Sequence, residues 1–174
     1  MNTILRGVRP LDGVLAALLT GLGVLLMVGN INGWEDGARV DSTSWLAVPA
    51  FAAATLPVLW RRRDLWAVLG VSAAAMAVHV VAFGWAVRCG AGLPLAFALA
   101  YAAGRLVPDR TRSLLALAAT AGIQVLVLVR DSAAGPEILP VTAGIGAAAW
   151  AVGLVLQRRS AAAGAGAVAA PTYA

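Results

Sequence analysis

The feature that most constrains the fold is a series of long apolar segments separated by short stretches that carry arginines. A helix that crosses a bilayer needs about 20 apolar residues, within a range of about 17–25. The segments that approach this length are 11–28, 44–60, 65–87, 91–107, 113–129 and 138–157. The sequence therefore predicts an all-α fold, a polytopic membrane bundle of about six transmembrane helices.

Composition supports lipid over water as the surroundings of this chain. Of its 174 residues, 61% are hydrophobic and 12% are charged, whereas a soluble domain is about 45–50% apolar and about 25% charged. The net charge is +5 and every basic residue is arginine. These arginines lie between apolar runs and form no continuous face, so we do not expect nucleic acid as a partner. The arginine- and alanine-rich usage is typical of a high-GC bacterial genome.

The arginines also predict the orientation of the bundle. With six spans and a cytoplasmic N-terminus, ten arginines fall on the inner side, and the outer side holds Arg39, Arg88 and Arg130. If the fourth segment failed to cross, the split would be six inside and seven outside. Only the first arrangement obeys the positive-inside rule. We therefore predict a multi-pass protein of the cell (plasma) membrane with both chain ends inside.

The chain is expected to consist of a folded domain and a disordered tail. Residues 1–159 form the six-helix transmembrane domain, and its first segment is too long for a cleaved signal peptide. Residues 160–174 are mostly Ala and Gly and are predicted to be a disordered cytoplasmic tail. Within the second segment, Pro57 should kink the helix.

Small residues offer a way to pack the helices, because lipid supplies no hydrophobic drive between them. They recur at four-residue spacing in the last three segments: Ala96, Ala100 and Gly104; Ala118 and Gly122; Ala143, Ala147 and Ala151. The pattern indicates close packing within one chain or between copies, so a homo-oligomer remains open.

Few residues could carry chemistry. The chain has one cysteine, Cys89, and no Gly-rich phosphate loop, metal-ligand pair or Ser-His-Asp set. We therefore expect no enzyme activity, cofactor or metal. The single histidine, His79, lies within the third segment, where an ionisable group is a functional candidate. It is either a neutral imidazole bonded to a carbonyl of a neighbouring helix, or a proton-sensing or ligand-contacting residue.

Other polar residues have more ordinary interpretations. Arg88 should extend to the outer interface, or bind an anionic ligand there. Gln124 should make an interhelical hydrogen bond in the fifth segment. The dense cluster of charge should bind lipid headgroups, or an acidic partner; it consists of Arg61, Arg62 and Arg63.

Two stretches carry a resemblance to a known family. Residues 56–69 read LPVLWRRRDLWAVL, and residues 92–105 read GLPLAFALAYAAGR. An Arg-rich turn before an apolar stretch, and a later span with Ala-Leu-Ala-Tyr-Ala-Ala before an arginine, resemble the N-terminal membrane region of actinobacterial sensor histidine kinases. The resemblance covers roughly residues 1–159. It implies a membrane module that senses a signal and acts on a kinase or response regulator.

The chain departs from that family after its last span. The family continues into a phosphoacceptor histidine segment and an ATP-binding domain, whereas here Arg158 and Arg159 precede an Ala/Gly tail. Because His79 lies at membrane depth, it cannot be the phosphoacceptor, and kinase activity does not carry over. Three functions remain open: a sensor-type module that modulates a separate partner, a small transport or channel component, and a truncated, non-functional kinase fragment.

Overall fold

The computed structural model describes residues 7–33 and 37–168, with side chains to residue 163. Within that part of the chain the fold is all-helical. Six α-helices follow one another: α1 (Pro10–Asn32), α2 (Ala47–Thr55), α3 (Leu65–Phe83), α4 (Cys89–Leu106), α5 (Arg110–Leu128) and α6 (Leu139–Val168). Short 3-10 turns at Leu56–Trp60 and Pro136–Ile138 follow α2 and precede α6. Arg6, one of the ten arginines assigned to the inner side, lies outside the described residues.

Local chemistry explains where several helices begin and end. The Asp64 carboxylate accepts a hydrogen bond from the Ala67 amide at 3.0 Å and caps α3. Asp109 caps α5 by accepting from the Arg112 amide at 2.7 Å. Such caps satisfy amide groups that have no partner within the helix. Gly84 ends α3 with a φ of 63°, a left-handed conformation that suits glycine.

The turns gather at two ends of the bundle. At one end Arg61 contacts Asp12, and Arg105 contacts Ser160. At the other end the backbone of Asp41 bonds to Trp85, and that of Ala86 bonds to Arg130. We call the first the inner end and the second the outer end, following the excess of arginines at the first. The described turns alternate between the two ends as the predicted topology requires.

The helix α4 lies at the centre of the bundle, packed against α1, α5 and α6. Gly104 of α4 lies directly against the backbone of Trp150 and Leu154, and Gly153 of α6 lies against the backbone of Tyr101 and Arg105. A methyl group at either glycine would collide with these atoms. The two glycines therefore allow the backbones of α4 and α6 to approach closely.

The small-residue pattern correctly locates the packing face of α4 but not those of α5 and α6. Ala96, Ala100 and Gly104 are buried. In contrast, Ala118 and Gly122 are exposed on α5, and so are Ala147 and Ala151 on α6. The inward face of α6 carries Gly146 and Gly153 instead. Because alanine is abundant on every face of these helices, spacing alone does not identify the buried one.

The second segment is an interrupted helix. The α-helix stops at Thr55 and continues as a 3-10 turn that contains Pro57, which confirms the predicted distortion. Together the two pieces reach roughly 24 Å, at about 1.5 Å per α-helical and 2.0 Å per 3-10 residue. This is shorter than a hydrocarbon core of about 30 Å. Even so, the segment brings the chain from the outer end back to Arg61 at the inner end.

Two predicted boundaries were wrong. The third helix ends at Phe83, not at residue 87, because Gly84 turns the chain and the next residues form a loop. The last helix does not stop near residue 157 but continues to Val168, through much of the segment predicted as a disordered tail. Alanine is the strongest helix former, so an Ala-rich stretch that follows a helix can extend it. Residues 169–174 lie outside the described residues.

Five helices in the described part of the chain are long and apolar enough to cross a membrane: α1, α3, α4, α5 and α6. The fourth segment, on whose crossing the predicted orientation depends, is among them. Their exposed surfaces carry large apolar side chains, such as Leu18 of α1 and Val81 of α3. The chain is therefore an integral membrane protein with a helical bundle, while the sixth crossing stays a prediction.

Candidate functional site

Arg88 lies in the loop between α3 and α4, and its charged side chain is completely buried. Its guanidinium donates hydrogen bonds to the carbonyl oxygens of Gly84 at 2.5 Å, Arg130 at 2.6 Å and Ala86 at 3.4 Å. Gly84 and Arg130 lie just beyond the C-terminal ends of α3 and α5, where helix dipoles concentrate partial negative charge. One cation therefore joins the ends of two helices.

The imidazole of His79 accepts a further hydrogen bond from the same guanidinium. Arg88 Nε lies 3.1 Å from His79 Nδ1, and both side chains are fully buried. Because a guanidinium can only donate, Nδ1 must be unprotonated and the imidazole neutral, with its proton on Nε2. Nε2 faces the backbone of Ala47 without forming a well-aligned hydrogen bond. The rings of Phe51 and Phe83 pack against the imidazole, with centroids at 5.3 and 4.8 Å.

Asp131, at the start of the turn between α5 and α6, holds the first residues of α4. Its Oδ2 atom accepts hydrogen bonds from the backbone amides of Arg88 and Cys89, both at 2.5 Å. Its Oδ1 atom accepts from the amides of Ala133 and Ala134, at 2.9 and 2.8 Å. The carboxylate thus caps α4 from another segment and also shapes the turn that leads to α6.

Charge balance favours this arrangement. Burial lowers the pKa of Arg88 to about 10, while the Asp131 carboxylate opposes the shift. The guanidinium therefore stays cationic at neutral pH. A buried cation is tolerated where nearby carbonyl and carboxylate oxygens replace its water, as they do here.

Two further links tie the loop 84–88 to the rest of the outer end. The Asn30 side chain donates to the Val87 carbonyl at 2.9 Å and accepts from the Val87 amide at 3.0 Å. Asp41 Oδ2 accepts from the Trp85 amide at 3.0 Å. We call the whole set the outer network; it comprises Asn30, Asp41, His79, Arg88 and Asp131.

At the inner end, a buried carboxylate pairs with two of the three clustered arginines. Asp12, in the first turn of α1, lies 2.8 Å from Arg61 Nη2 and 2.9 Å from Arg62 Nε. It also accepts from the Arg9 amide at 3.1 Å. Burial lowers the pKa of Arg61, and the Asp12 carboxylate opposes that shift. The ion pairs therefore fix the turn before α3 against the start of α1.

A cleft of about 270 Å³ opens at the same end, between the turn that precedes α3 and the turn that joins α4 to α5. Arginines dominate its charged lining. The lining residues are Arg61, Arg62, Arg63, Asp64, Leu65, Trp66, Leu106, Val107, Pro108, Asp109 and Arg112.

A second, apolar cleft of about 370 Å³ lies at the outer end, between α1, the segment 38–43 and the start of α4. Leu22 and Leu25 of its lining are also exposed on the outside of the bundle. Asn30 and Val87 line it as well, so the cleft adjoins the outer network.

Gln124 lies apart from both ends. Its side chain is buried on α5, with Nε2 directed at Gly146 of α6. Its Oε1 atom has no hydrogen-bond partner among the described residues. The contact is interhelical, as the sequence predicts, while the hydrogen bond itself remains a prediction.

The structure brings together two of the residues selected from sequence and separates the others. His79 and Arg88 are in direct contact, whereas Gln124 and the arginine cluster lie elsewhere. The expectation that Arg88 extends to the interface is wrong, because helix-end carbonyls, His79 and Asp131 provide a buried polar environment for it. Sequence reasoning also missed Asp12 and Asp131. The signal available for Asp131 was an acid soon after the fifth predicted segment. It lies on the same predicted side of the membrane as Arg88, which precedes the fourth segment.

Among the described residues, no group of three His, Cys, Asp or Glu side chains could hold a metal ion. Comparison with known protein families, with curated proteins and with solved structures found no match.

Proposed function

We propose that this chain is a membrane-embedded signalling module, similar to the membrane region of sensor histidine kinases, and that it acts on a separate partner through α6. The observation that carries the proposal is the length of α6, which continues as one helix from Leu139 to Val168. At about 1.5 Å per residue, a 30-residue helix spans roughly 45 Å. That exceeds a hydrocarbon core of about 30 Å, so its last turns project beyond the inner surface.

The outer network gives α6 a connection to the opposite side of the membrane. Asp131 binds the first residues of α4 and also the amides of Ala133 and Ala134, which lead towards α6. A change in the position of Arg88 or Asp131 would therefore alter the turn before α6. The close contact of Gly104 with Trp150 then guides how α6 can move against α4.

The proposal includes a six-crossing topology with both ends in the cytoplasm of the plasma membrane. The gathering of alternate turns at two ends supports it, and so does the excess of arginines at the inner end. The second segment would make its crossing with the help of residues 42–46, which precede α2, and by thinning the bilayer locally.

The partner proposed is a histidine kinase or a response regulator, and the chain itself is assigned no catalytic step. A photo-reactive amino acid placed at Gln157 or Ser160, on the inner part of α6, should capture this partner in native membranes. The same residue placed at Leu18, exposed on α1 within the membrane, is the matched control. Recovery of a kinase or response regulator from the α6 positions alone supports the proposal. Recovery of self-contacts only, or of a transport ATPase, overturns it.

A further inference from the structure

The inner cleft lies where two turns at the inner end meet, and its charge is unevenly distributed. Four arginines line it, while the nearby carboxylates are Asp64 and Asp109 in the lining and Asp12, which pairs with two of the arginines. Asp64 and Asp109 each accept a hydrogen bond from an amide in the first turn of their own helices. The arginines outnumber the carboxylates, so the cleft is a site of net positive charge.

The positions of these groups favour the binding of one anion at a defined site over a general attraction of anions to this surface. Asp12 holds Arg61 and Arg62 in place by ion pairs, which reduces the entropy that would be lost when they meet a ligand. The N-termini of α3 and α5 border the same cleft, and their dipoles add partial positive charge. Guanidinium groups bind phosphate oxygens in paired, directional hydrogen bonds.

The remaining lining indicates that this anion carries an apolar part. The lining also includes the apolar residues Leu65, Leu106 and Val107. Trp66, in the first turn of α3, is 44% exposed, and tryptophan prefers the headgroup layer of a membrane. A phosphate that continues into acyl chains would use both parts of the lining, whereas free phosphate would use only the arginines.

We propose that the inner cleft binds the phosphate of one anionic phospholipid. The site does not depend on the signalling proposal, because it requires only that the inner end lies in a headgroup layer. The four arginines of the lining, Arg61, Arg62, Arg63 and Arg112, together supply charge to the phosphate. The lipid would thereby hold the turn before α3 against the turn between α4 and α5.

The test is retention of lipid by the purified protein. The chain is reconstituted in phosphatidylcholine vesicles with about 20% phosphatidylglycerol, extracted in mild detergent and examined by native mass spectrometry. The wild-type protein should retain one phosphatidylglycerol in preference to phosphatidylcholine. Because one arginine at a membrane surface changes binding about fivefold, Arg112→Gln should lower this retention by about that factor.

Arg159→Gln is the matched control, since it removes the same charge from the inner part of α6, outside the cleft. Equal losses from Arg112→Gln and Arg159→Gln would overturn the proposal, because they indicate diffuse attraction. If Arg112→Gln fails to fold, Arg63→Gln provides a second measurement of lipid retention by the same cleft.

A comparison with inorganic phosphate distinguishes a lipid phosphate from free phosphate as the bound anion. Thermal protection by phosphate equal to that by phosphatidylglycerol would overturn the lipid assignment, whereas protection by the lipid alone supports it.

Discussion

Arg88 Nε donates a hydrogen bond to His79 Nδ1 at 3.1 Å, and neither side chain has any surface exposed. The contact joins the outer part of α3 to the loop that begins α4. An imidazole that accepts at Nδ1 from a guanidinium is neutral, but its partner is Arg88 and not the predicted carbonyl of a neighbouring helix. A proton-sensing role for His79 stays a prediction. In this geometry His79 is a structural acceptor for Arg88.

The first prediction concerns that hydrogen bond. His79→Ala should lower the free energy of unfolding by about 2–4 kcal/mol, because it leaves a buried guanidinium N–H without an acceptor and opens a cavity between Phe51 and Phe83. His79→Gln keeps an acceptor oxygen and should recover part of the loss. Thermal unfolding in detergent, followed by tryptophan fluorescence, measures both variants. Wild-type stability in His79→Ala would show that the contact has no structural role.

The second prediction compares two helix caps. Asp131→Ala removes a buried carboxylate that binds four backbone amides and neighbours Arg88, so it should cost about 3 kcal/mol or more. Asp109→Ala removes an exposed cap at the start of α5 and should cost about 1 kcal/mol. Hydrogen exchange should also become faster at the first amides of α4 in Asp131→Ala. Equal costs for the two variants would contradict the role assigned to Asp131.

A third prediction tests the contact between α4 and α6. Gly104→Ala and Gly153→Ala should each destabilise the bundle by about 1–3 kcal/mol, since the added methyl group meets backbone atoms of the facing helix. Gly122→Ala is the control, because a methyl group there meets no neighbouring atom, and it should be neutral or stabilising by up to about 1 kcal/mol. Thermal stability of the three variants, measured side by side, should separate them in this order. A destabilised Gly122→Ala variant would place α5 differently.

The fourth prediction is a pH dependence at the outer surface. The hydrogen bond from the Trp85 amide and the nearby Arg39 hold the pKa of Asp41 below its ordinary value of 3.8. A carboxyl group with a lowered folded-state pKa contributes stability above the unfolded pKa and loses it as pH falls through the folded value. The link between Asp41 and Trp85 should therefore persist at pH 5 and weaken only below pH 3.8. Hydrogen exchange at the Trp85 amide tests this, with Asp41→Asn as the variant that should exchange faster at pH 7.

Much of the fold can be predicted from the sequence because a helix that crosses lipid must be long and apolar. Long apolar runs predict the helices, and Pro57 marks where α2 gives way to a 3-10 turn. Interruptions inside apolar stretches are harder to predict. Gly84 ends α3 within a run whose composition gives no warning, since its effect depends on backbone conformation and not on hydropathy. The Ala-rich stretch after Arg159 is ambiguous in another way, because its composition is compatible with a disordered tail and also with continuation of the helix.

The candidate site was predictable only in part. A lone histidine and an arginine near a helix end are visible as unusual residues, and both belong to the outer network. Their contact is not visible, because it depends on how far α3 runs before Gly84 turns the chain. Asp131 lies 43 residues from Arg88, and nothing local to either residue indicates that they meet. The pairing of Asp12 with Arg61 and Arg62 is hidden for the same reason.

The sidedness of two turns tests the central claim most directly, namely that the chain alternates across a bilayer with its arginine-rich end inside. Single cysteines are introduced by Gly37→Cys and Arg110→Cys in a Cys89→Ser background, and intact cells are treated with a membrane-impermeant thiol reagent. We predict that position 37 is labelled in intact cells and that position 110 is labelled only after the membrane is opened. Labelling of both positions from the same side would contradict the six-crossing topology and the orientation derived from it.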